Sequence, residues 1–227
     1  MNNAFISERE LVSCIVSCVN SKPNSLLNGT GAHFIDTELD LGYGIADVVA
    51  VNYSSDYTQE RKNALAFFDV SLLSLIEKNE RVSIQDIVYI TRSPEKKIIS
   101  ALSSLIEEGF ISLRKGFYYS DKKYSEILTD SVAIEAKLKD WKRALKQAYR
   151  YKWFSNKAFV FLPSENIEAP KKNINIFKRY NVGLAGISKE KGIEVIYSPK
   201  KETPISDNMR IALNEHLFSR RHSGDRT

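Results

Sequence analysis

Three charged residues lie within apolar runs of the sequence. Asp47 interrupts the run 45–51, and Glu135 and Lys137 interrupt the run 132–138. Because side chains alternate across a strand, Glu135 and Lys137 are expected to project from the same face. Burying such charges is costly unless they are paired. A divalent metal ion and a phosphate group would pair with them, so the spacing points to chemistry on a phosphate.

A helix is predicted to follow the Glu135 strand, because residues 141, 145 and 148 are apolar at core spacing. Gln147 and Tyr151 are four residues apart on this helix and therefore share a face. A basic row lies at the same spacing. Its members are Lys142, Lys146 and Arg150. The row fits contact with a nucleic-acid backbone, and it equally fits an ordinary solvated helix face.

Composition and length set the broad class of protein. The chain has 227 residues and a net charge of +5, which weakly favours a polyanionic partner. It contains no apolar run long enough to cross a bilayer, and its first ten residues lack the features of a secretion signal. We therefore expect a cytoplasmic protein without a membrane partner. Cys14 and Cys18 are expected to be reduced residues on a buried helix face.

The elements around these residues alternate between helix and strand. Ser7 and Glu10 form a capping box that opens an N-terminal helix. The remaining predicted elements are strands 33–40, 45–51, 132–138, 158–163, 182–187 and 193–197, a turn at 41–44, a loop at 164–170, a helix at 173–180, and a last helix from Ser206 through Phe218 before a disordered tail. The pattern predicts an α/β fold with a central mixed sheet flanked by helices.

The segment between the two charged strands has a different pattern. After a polar boundary at 54–60, helices are predicted at 64–78, from a cap at Ser83, and at 94–108 with Ser93 as the N-cap, followed by a hairpin at 110–119. Three helices and a hairpin resemble a winged-helix domain. Such a domain binds DNA or another protein, including a second copy of the chain. The DNA contacts would be Arg92, Lys96, Lys97, Arg114 and Lys115, and the alternative is a solvated basic face.

The order of the charged motifs resembles that of a known enzyme superfamily. Gly44 to Asp47 reads G-x-x-D, Glu135 to Lys137 reads E-x-K, and Gln147 to Tyr151 reads Q-x-x-x-Y. In this order the motifs resemble those of PD-(D/E)xK nucleases, and within that superfamily the RecB-type nucleases and lambda exonuclease. The residue before Asp47 is alanine instead of proline, and the insert before Glu135 is unusually long.

This resemblance implies a restriction-endonuclease-like domain formed by residues 1–55 and 126–227, with a winged-helix insert at 56–125. It implies a Mg²⁺- or Mn²⁺-dependent deoxyribonuclease. The metal would be held by Asp47, Glu135 and the backbone carbonyl of Ala136, because hard cations prefer oxygen ligands.

The resemblance also assigns roles to further residues. Lys137 would orient or deprotonate the attacking water, and Gln147 and Tyr151 would contact phosphate or brace Lys137. Glu10, on the opening helix, is the expected accessory acid, with Glu38 as a second candidate. The alternative is a DNA-binding or adaptor protein without catalysis. In that case Asp47, Glu135 and Lys137 would form a structural salt-bridged trio, and the winged helix would be the main binding element.

Overall fold

A computed structural model describes residues 4–28, 32–42, 44–54 and 61–224 of the chain. The elements in chain order are α1 (Glu8–Ser21), β1 (Ala32–Asp40), β2 (Ile45–Tyr53), α2 (Phe67–Glu77), α3 (Ile84–Thr91), α4 (Glu95–Glu107), β3 (Ile111–Arg114), β4 (Phe117–Ser120), β5 (Leu128–Ala136), α5 (Trp141–Tyr151), β6 (Lys157–Pro163), α6 (Glu168–Lys172), α7 (Ile174–Tyr180), β7 (Gly183–Ser188), β8 (Gly192–Tyr197) and α8 (Asp207–Gly224). Short 3₁₀ turns lie at Pro23–Ser25 and Ser164–Asn166.

The chain divides into two compact units. The first contains residues 1–55 and 128–207, and the second contains residues 56–127 and 208–227. The polar boundary at 54–60 falls largely outside the described residues, as does Tyr43 in the turn at 41–44.

A mixed six-stranded sheet flanked by helices forms the first unit, in the strand order β1-β2-β5-β6-β7-β8. β2 is antiparallel to both of its neighbours, β1 and β5. β5, β6 and β7 are parallel, and β8 is antiparallel to β7. The α/β class and the mixed sheet are therefore confirmed. β5 lies near the centre of this sheet, which is why residues 130–136 are all buried.

The main core of the first unit lies between the sheet and α1. Val48, Ala50, Ile134 and Ala136 face this core, where they meet apolar side chains from α1. The alternate residues of β2 and β5 project from the opposite face, where α5 supplies Tyr151. The alternation that buries Ile134 and Ala136 under α1 therefore directs Asp47 and Glu135 to the other face.

The second unit contains α2, α3, α4 and the β3–β4 hairpin around an apolar core that includes Ile76, Ile87, Leu102 and Phe110. Ser83 caps α3 as expected, since its hydroxyl accepts a hydrogen bond from the backbone of Asp86. The expected cap at Ser93 is wrong by one residue. Pro94 occupies the N-cap of α4 and makes no side-chain capping bond, and the helix begins at Glu95.

The last helix differs from the prediction in two ways. It continues to Gly224 instead of ending at Phe218, and from residue 208 it belongs to the second unit instead of the sheet. Buried polar contacts explain the second difference. Glu215 pairs with Arg61 and accepts a hydrogen bond of 2.8 Å from the backbone of Leu65, while Asn214 accepts one of 2.8 Å from Ile127.

Smaller differences concern two elements of the first unit. The predicted loop 164–170 contains a 3₁₀ turn and the start of the short helix α6. β5 begins at Leu128 and ends at Ala136, so Lys137 follows the strand instead of lying within it. Among the described residues, no helix combines the length and the apolar composition that crossing a membrane requires.

Candidate active site

Asp47 and Glu135 lie on neighbouring antiparallel strands. The register of β2 and β5 pairs Val48 with Ile134, so one further step brings Asp47 beside Glu135. Asp47 Oδ2 accepts a hydrogen bond of 2.7 Å from the backbone nitrogen of Ala136. This bond fixes the Asp47 carboxylate against the end of β5, next to the E-x-K motif.

Lys137 brings three carboxylates together. Its Nζ lies 2.9 Å from Glu135 Oε1, 3.9 Å from Asp47 Oδ2 and 3.2 Å from Glu8 Oε2. The same Nζ donates a hydrogen bond of 3.2 Å to the carbonyl oxygen of Ala136. The E-x-K spacing thus gives the close contact between Glu135 and Lys137 that strand alternation predicts.

Glu135 is the most deeply buried member of this cluster, with its side chain only 1% exposed. Its Oε2 accepts a hydrogen bond from the Tyr151 hydroxyl, which also lies 2.6 Å from the carbonyl oxygen of Ile45. The hydroxyl has one proton and can donate to only one of these oxygens at a time. Glu135 Oε1 is close to Lys137 Nζ but lacks an aligned hydrogen bond among the described residues. One oxygen of a buried carboxylate is therefore held by charge alone.

Burial and mutual repulsion raise the pKa of both Asp47 and Glu135. Burial raises the pKa of Glu135, and the charge of Asp47 adds to this effect. Burial also raises the pKa of Asp47, and the charges of Glu8 and Glu38 act in the same sense. Hydrogen bonds and Lys137 oppose these shifts only in part. The negative charge of the carboxylates therefore exceeds the positive charge of the single ammonium group in the cluster.

Lys137 is shifted toward its charged form. Burial lowers the pKa of Lys137, but the close ion pair with Glu135 and the charge of Asp47 outweigh burial and raise it. The ammonium group is therefore retained at neutral pH. In this arrangement Lys137 is suited to holding an anion and is poorly suited to accepting a proton.

Glu38 lies beside the cluster and has an unusual backbone conformation. The register of β1 and β2 pairs Thr37 with Val48 and Leu39 with Ala46, which leaves Glu38 opposite Asp47. Glu38 has a φ of 55°, a left-handed conformation that is uncommon for a residue other than glycine. Such conformations cost free energy and concentrate at functional sites. The second candidate acid therefore lies across from Asp47, in an exposed position.

The structure brings Glu8, and not Glu10, to the cluster. Glu10 pairs with Lys189 at 2.7 Å and accepts a hydrogen bond of 2.9 Å from the backbone of Ile6, so its carboxylate is engaged in capping α1. Glu8 precedes it by two residues and faces another direction on the helix, where it reaches Lys137. The sequence offers an acid at both positions. The resemblance led to the expectation of Glu10 as the accessory acid, whereas the structure places Glu8 next to Lys137.

Gln147 and Tyr151 have different surroundings. Tyr151 is fully buried and braces Glu135 instead of Lys137. Gln147 lies one turn earlier on the same side of α5, and its Oε1 is buried without a hydrogen-bond partner among the described residues. An unpaired buried acceptor of this kind is costly unless a donor from outside the chain completes it.

The predicted DNA contacts on α5 are exposed and separate into two environments. Lys142 and Lys146 line a groove between α5 and α7, and Lys142 Nζ lies 5.7 Å from the centre of the Trp141 ring. Arg150 lies beside Gly44, where an added Cβ would approach Arg150 Nη2 to 3.4 Å. Gly44 also has a φ of 109°, which a residue with a side chain rarely adopts, so this position requires glycine.

The basic residues predicted in the second unit are all exposed, and two of them also make contacts. Lys97 Nζ lies 4.3 Å from the centre of the Phe68 ring, and Arg114 pairs with Asp121 and approaches Tyr119. Arg92, Lys96 and Lys115 are solvent-exposed. Arg92 and Lys115 have left-handed φ values of 50° and 49°, which place them at a helix end and in the hairpin turn.

Comparisons with protein-family models, with curated proteins and with solved structures find no match. Within the described part of the chain, no group of three or more His, Cys, Asp or Glu side chains has the geometry of a metal site. We therefore infer function from the cluster itself. Its members are Glu8, Glu38, Asp47, Glu135, Lys137 and Tyr151, and we call it the acidic cluster.

Proposed function

We propose that the chain is a metal-dependent nuclease that hydrolyses phosphodiester bonds, with DNA as its substrate. The observation that carries the proposal is the sharing of one ammonium group, Lys137, by Glu135, Asp47 and Glu8 at the end of β5. In a structural salt bridge a single acid would satisfy Lys137. An excess of buried or half-buried acids is instead typical of a site that binds a cation.

The proposal includes a fold assignment for each unit. The first unit begins with the helix α1 and the two antiparallel strands β1 and β2. The E-x-K strand β5, the helix α5 and the strand β6, which is parallel to β5, follow within this unit. This order supports a restriction-endonuclease-like domain. The order of three helices followed by a hairpin supports a winged-helix domain in the second unit.

The donors in the acidic cluster fit Mg²⁺ or Mn²⁺. Asp47, Glu135 and the carbonyl of Ala136 would be the protein ligands, and all three offer the hard oxygen atoms that these cations prefer. Glu135 Oε1 has no aligned hydrogen bond and already lies 2.9 Å from a cationic group, Lys137 Nζ. When bound, the metal would acidify a water molecule and neutralise charge on the phosphate.

The residues of the chain would then act in separate roles. Lys137, with its raised pKa, would stabilise negative charge on a phosphate oxygen and orient the attacking water, without serving as the base. Tyr151 would be a positioning residue, because its hydroxyl holds Glu135 Oε2 and so directs Oε1 toward Lys137. The buried Oε1 of Gln147 would accept a hydrogen bond from substrate or water.

A binding protein without catalysis is the second candidate function. Apolar side chains of the second unit favour it, because Tyr89, Ile90 and Leu113 are 84%, 53% and 53% exposed. Large apolar side chains that are left exposed are one feature of surfaces that bind other macromolecules. In this case the winged helix would contact a partner protein or a second copy of the chain, and the acidic cluster would be structural.

Cleavage of a DNA panel tests the proposal. The chain is incubated in Mn²⁺ with linear, circular and single-stranded DNA, with RNA for comparison, and the products are separated by size. Asp47→Asn serves as the inactive variant and Glu10→Gln as the matched control on α1. The proposal predicts Mn²⁺-dependent cleavage that Asp47→Asn abolishes and Glu10→Gln retains. Absence of cleavage of every substrate, or equal cleavage by the Asp47→Asn variant, would contradict it.

A further inference from the structure

A groove of about 420 Å³ lies on the surface of the first unit between α5 and α7. Trp141, Tyr149 and Tyr180 form much of its lining, and the two tyrosines are 42% and 41% exposed. Their rings meet edge to face with centres 5.4 Å apart. Leu145 and Ile176 complete the apolar part of the lining. This volume is in the range of pockets that bind small organic groups.

The charged side chains that line the groove are all positive. Lys142 and Lys146 are its charged lining residues, and no Asp or Glu is among the described residues that line it. Lys142 Nζ lies near the Trp141 ring, and Lys152 Nζ lies 5.4 Å from the centre of the Tyr149 ring. Aromatic faces beside ammonium groups are suited to a ligand that is both planar and anionic.

The groove and the acidic cluster share helix α5. Residues four apart form stripes along a helix, and three neighbouring stripes of α5 have different compositions. The stripes are Trp141–Leu145–Tyr149, Lys142–Lys146–Arg150 and Arg143–Gln147–Tyr151. The aromatic stripe faces the groove and the third stripe contains the Tyr151 that contacts Glu135, so the basic stripe is the crest between them. The distance across is about one helix diameter, roughly 10–12 Å.

We propose that the groove binds the bases of single-stranded nucleic acid, whose backbone crosses the basic crest of α5 between the groove and the acidic cluster. This inference deepens the proposed function by naming the substrate as a single strand. Bases would stack on Tyr149, Tyr180 and Trp141, while phosphates would contact Lys142, Lys146 and Arg150. A duplex keeps its bases paired and stacked inside, so it cannot offer their faces to these rings.

An acidic amphipathic peptide is the competing occupant. The composition of the groove favours bases, because three of its five uncharged lining residues are aromatic and two of these expose their rings. The direction of the basic crest also favours a nucleic acid, since Arg150 extends the row beyond the groove to Gly44, at the start of the strand that contains Asp47. A peptide confined to the groove would not contact Arg150 or the residues beyond it.

Binding without cleavage tests the inference. Fluorescence anisotropy is measured in EDTA with three labelled nucleic-acid probes of equal length, which are an oligothymidylate, an abasic deoxyribose-phosphate strand and a hairpin duplex. A labelled acidic amphipathic peptide is the fourth probe. We expect the oligothymidylate to bind at least about fivefold more tightly than the abasic strand, as base–aromatic stacking gives in other proteins. Tyr149→Leu and Tyr180→Leu, which keep apolar bulk, should each remove most of this preference.

Charge variants separate the phosphate contacts from stacking. Lys142→Gln and Lys146→Gln should keep the preference for bases, and each should reduce the slope of log affinity against log salt by about 0.7. Lys172→Gln, an exposed lysine of α6, is the matched control and should leave that slope unchanged. Equal binding of the abasic and base-containing strands, or preferential binding of the duplex or of an acidic amphipathic peptide, would overturn the inference.

The result is distinguishable from that of the proposed function. Groove-dependent binding of single strands without cleavage in Mn²⁺ would support the groove and contradict the nuclease. Cleavage with no effect of the tyrosine variants on strand binding would support the nuclease and contradict the groove. Circular dichroism of each variant establishes that its fold is intact before binding is compared.

Discussion

Replacing Lys137 with methionine removes the single ammonium group of the acidic cluster and keeps most of the side-chain volume. Lys137 Nζ lies 2.9 Å from Glu135 Oε1, and the side chains are 15% and 1% exposed, respectively. The substitution would leave the Glu135 carboxylate buried without its counter-ion. We expect the carboxylate to take up a proton, because burial and the charge of Asp47 already raise its pKa.

Proton uptake limits the cost of the substitution and makes that cost depend on pH. Taking Glu135 from an unfolded pKa of about 4.3 to the protonated form at pH 7 costs about 1.4 kcal/mol per pH unit, or roughly 3–4 kcal/mol. At pH 5 the same step costs only about 1 kcal/mol. The stability difference between Lys137→Met and the unmodified chain should therefore shrink steadily as the pH is lowered from 7 to 5.

Urea denaturation at pH 5, 6 and 7 measures this difference, and the double variant Lys137→Met/Glu135→Gln is the matched control. The double variant should recover most of the stability at pH 7 and show little dependence on pH. A loss that is the same at all three pH values, or that persists in the double variant, would refute the idea that Lys137 stabilises an ionised Glu135.

Three further predictions follow from the same contacts. Asp47→Asn should raise the melting temperature of the metal-free chain by a few degrees, about 1 kcal/mol, because the pKa of Asp47 is raised in the folded state and its ionised form is unfavourable there. This gain should be full at neutral pH and should vanish below about pH 4, where the carboxyl group is protonated in both the folded and the unfolded state. A lower melting temperature at neutral pH would contradict the prediction. Glu8→Gln should slow Mn²⁺-dependent cleavage severalfold while Glu10→Gln does not, since only Glu8 reaches Lys137; equal rates would exclude a role for Glu8. In the second unit, Arg61→Met should lower the free energy of unfolding in urea by about 3–5 kcal/mol, because it leaves the buried Glu215 carboxylate without its counter-ion. A loss below about 1 kcal/mol would show that this ion pair does not hold α8 in place.

The parts of the fold that depend on local patterns were predictable from the sequence. Alternation in β2 and β5 buried Ile134 and Ala136 and directed Asp47 and Glu135 to the other face. The helix period of α5 gave the face shared by Gln147 and Tyr151. These patterns are set within a few residues, so a single sequence contains them.

Contacts between distant segments were not predictable in the same way. The last helix carries an ordinary amphipathic pattern, and nothing local indicates that Glu215 meets Arg61 and Leu65, some 150 residues earlier. The choice between Glu8 and Glu10 likewise depends on how α1 is rotated over the sheet, because both acids lie in the first turn. The left-handed conformation of Glu38 gave no signal either, because residues other than glycine rarely adopt it and glutamate does not indicate it.

Calorimetric titration of Mn²⁺ tests most directly whether the acidic cluster is a metal site or a structural salt bridge. We expect saturable binding by the unmodified chain. Lys137→Met should still bind Mn²⁺, because an ammonium group is not a ligand, but binding should then release the proton that Glu135 takes up in this variant. Asp47→Asn and Glu135→Gln should lose binding. Each variant is titrated at the pH where its fold is intact. Absence of saturable binding by the unmodified chain, or binding that both carboxylate substitutions leave unchanged, would contradict the account.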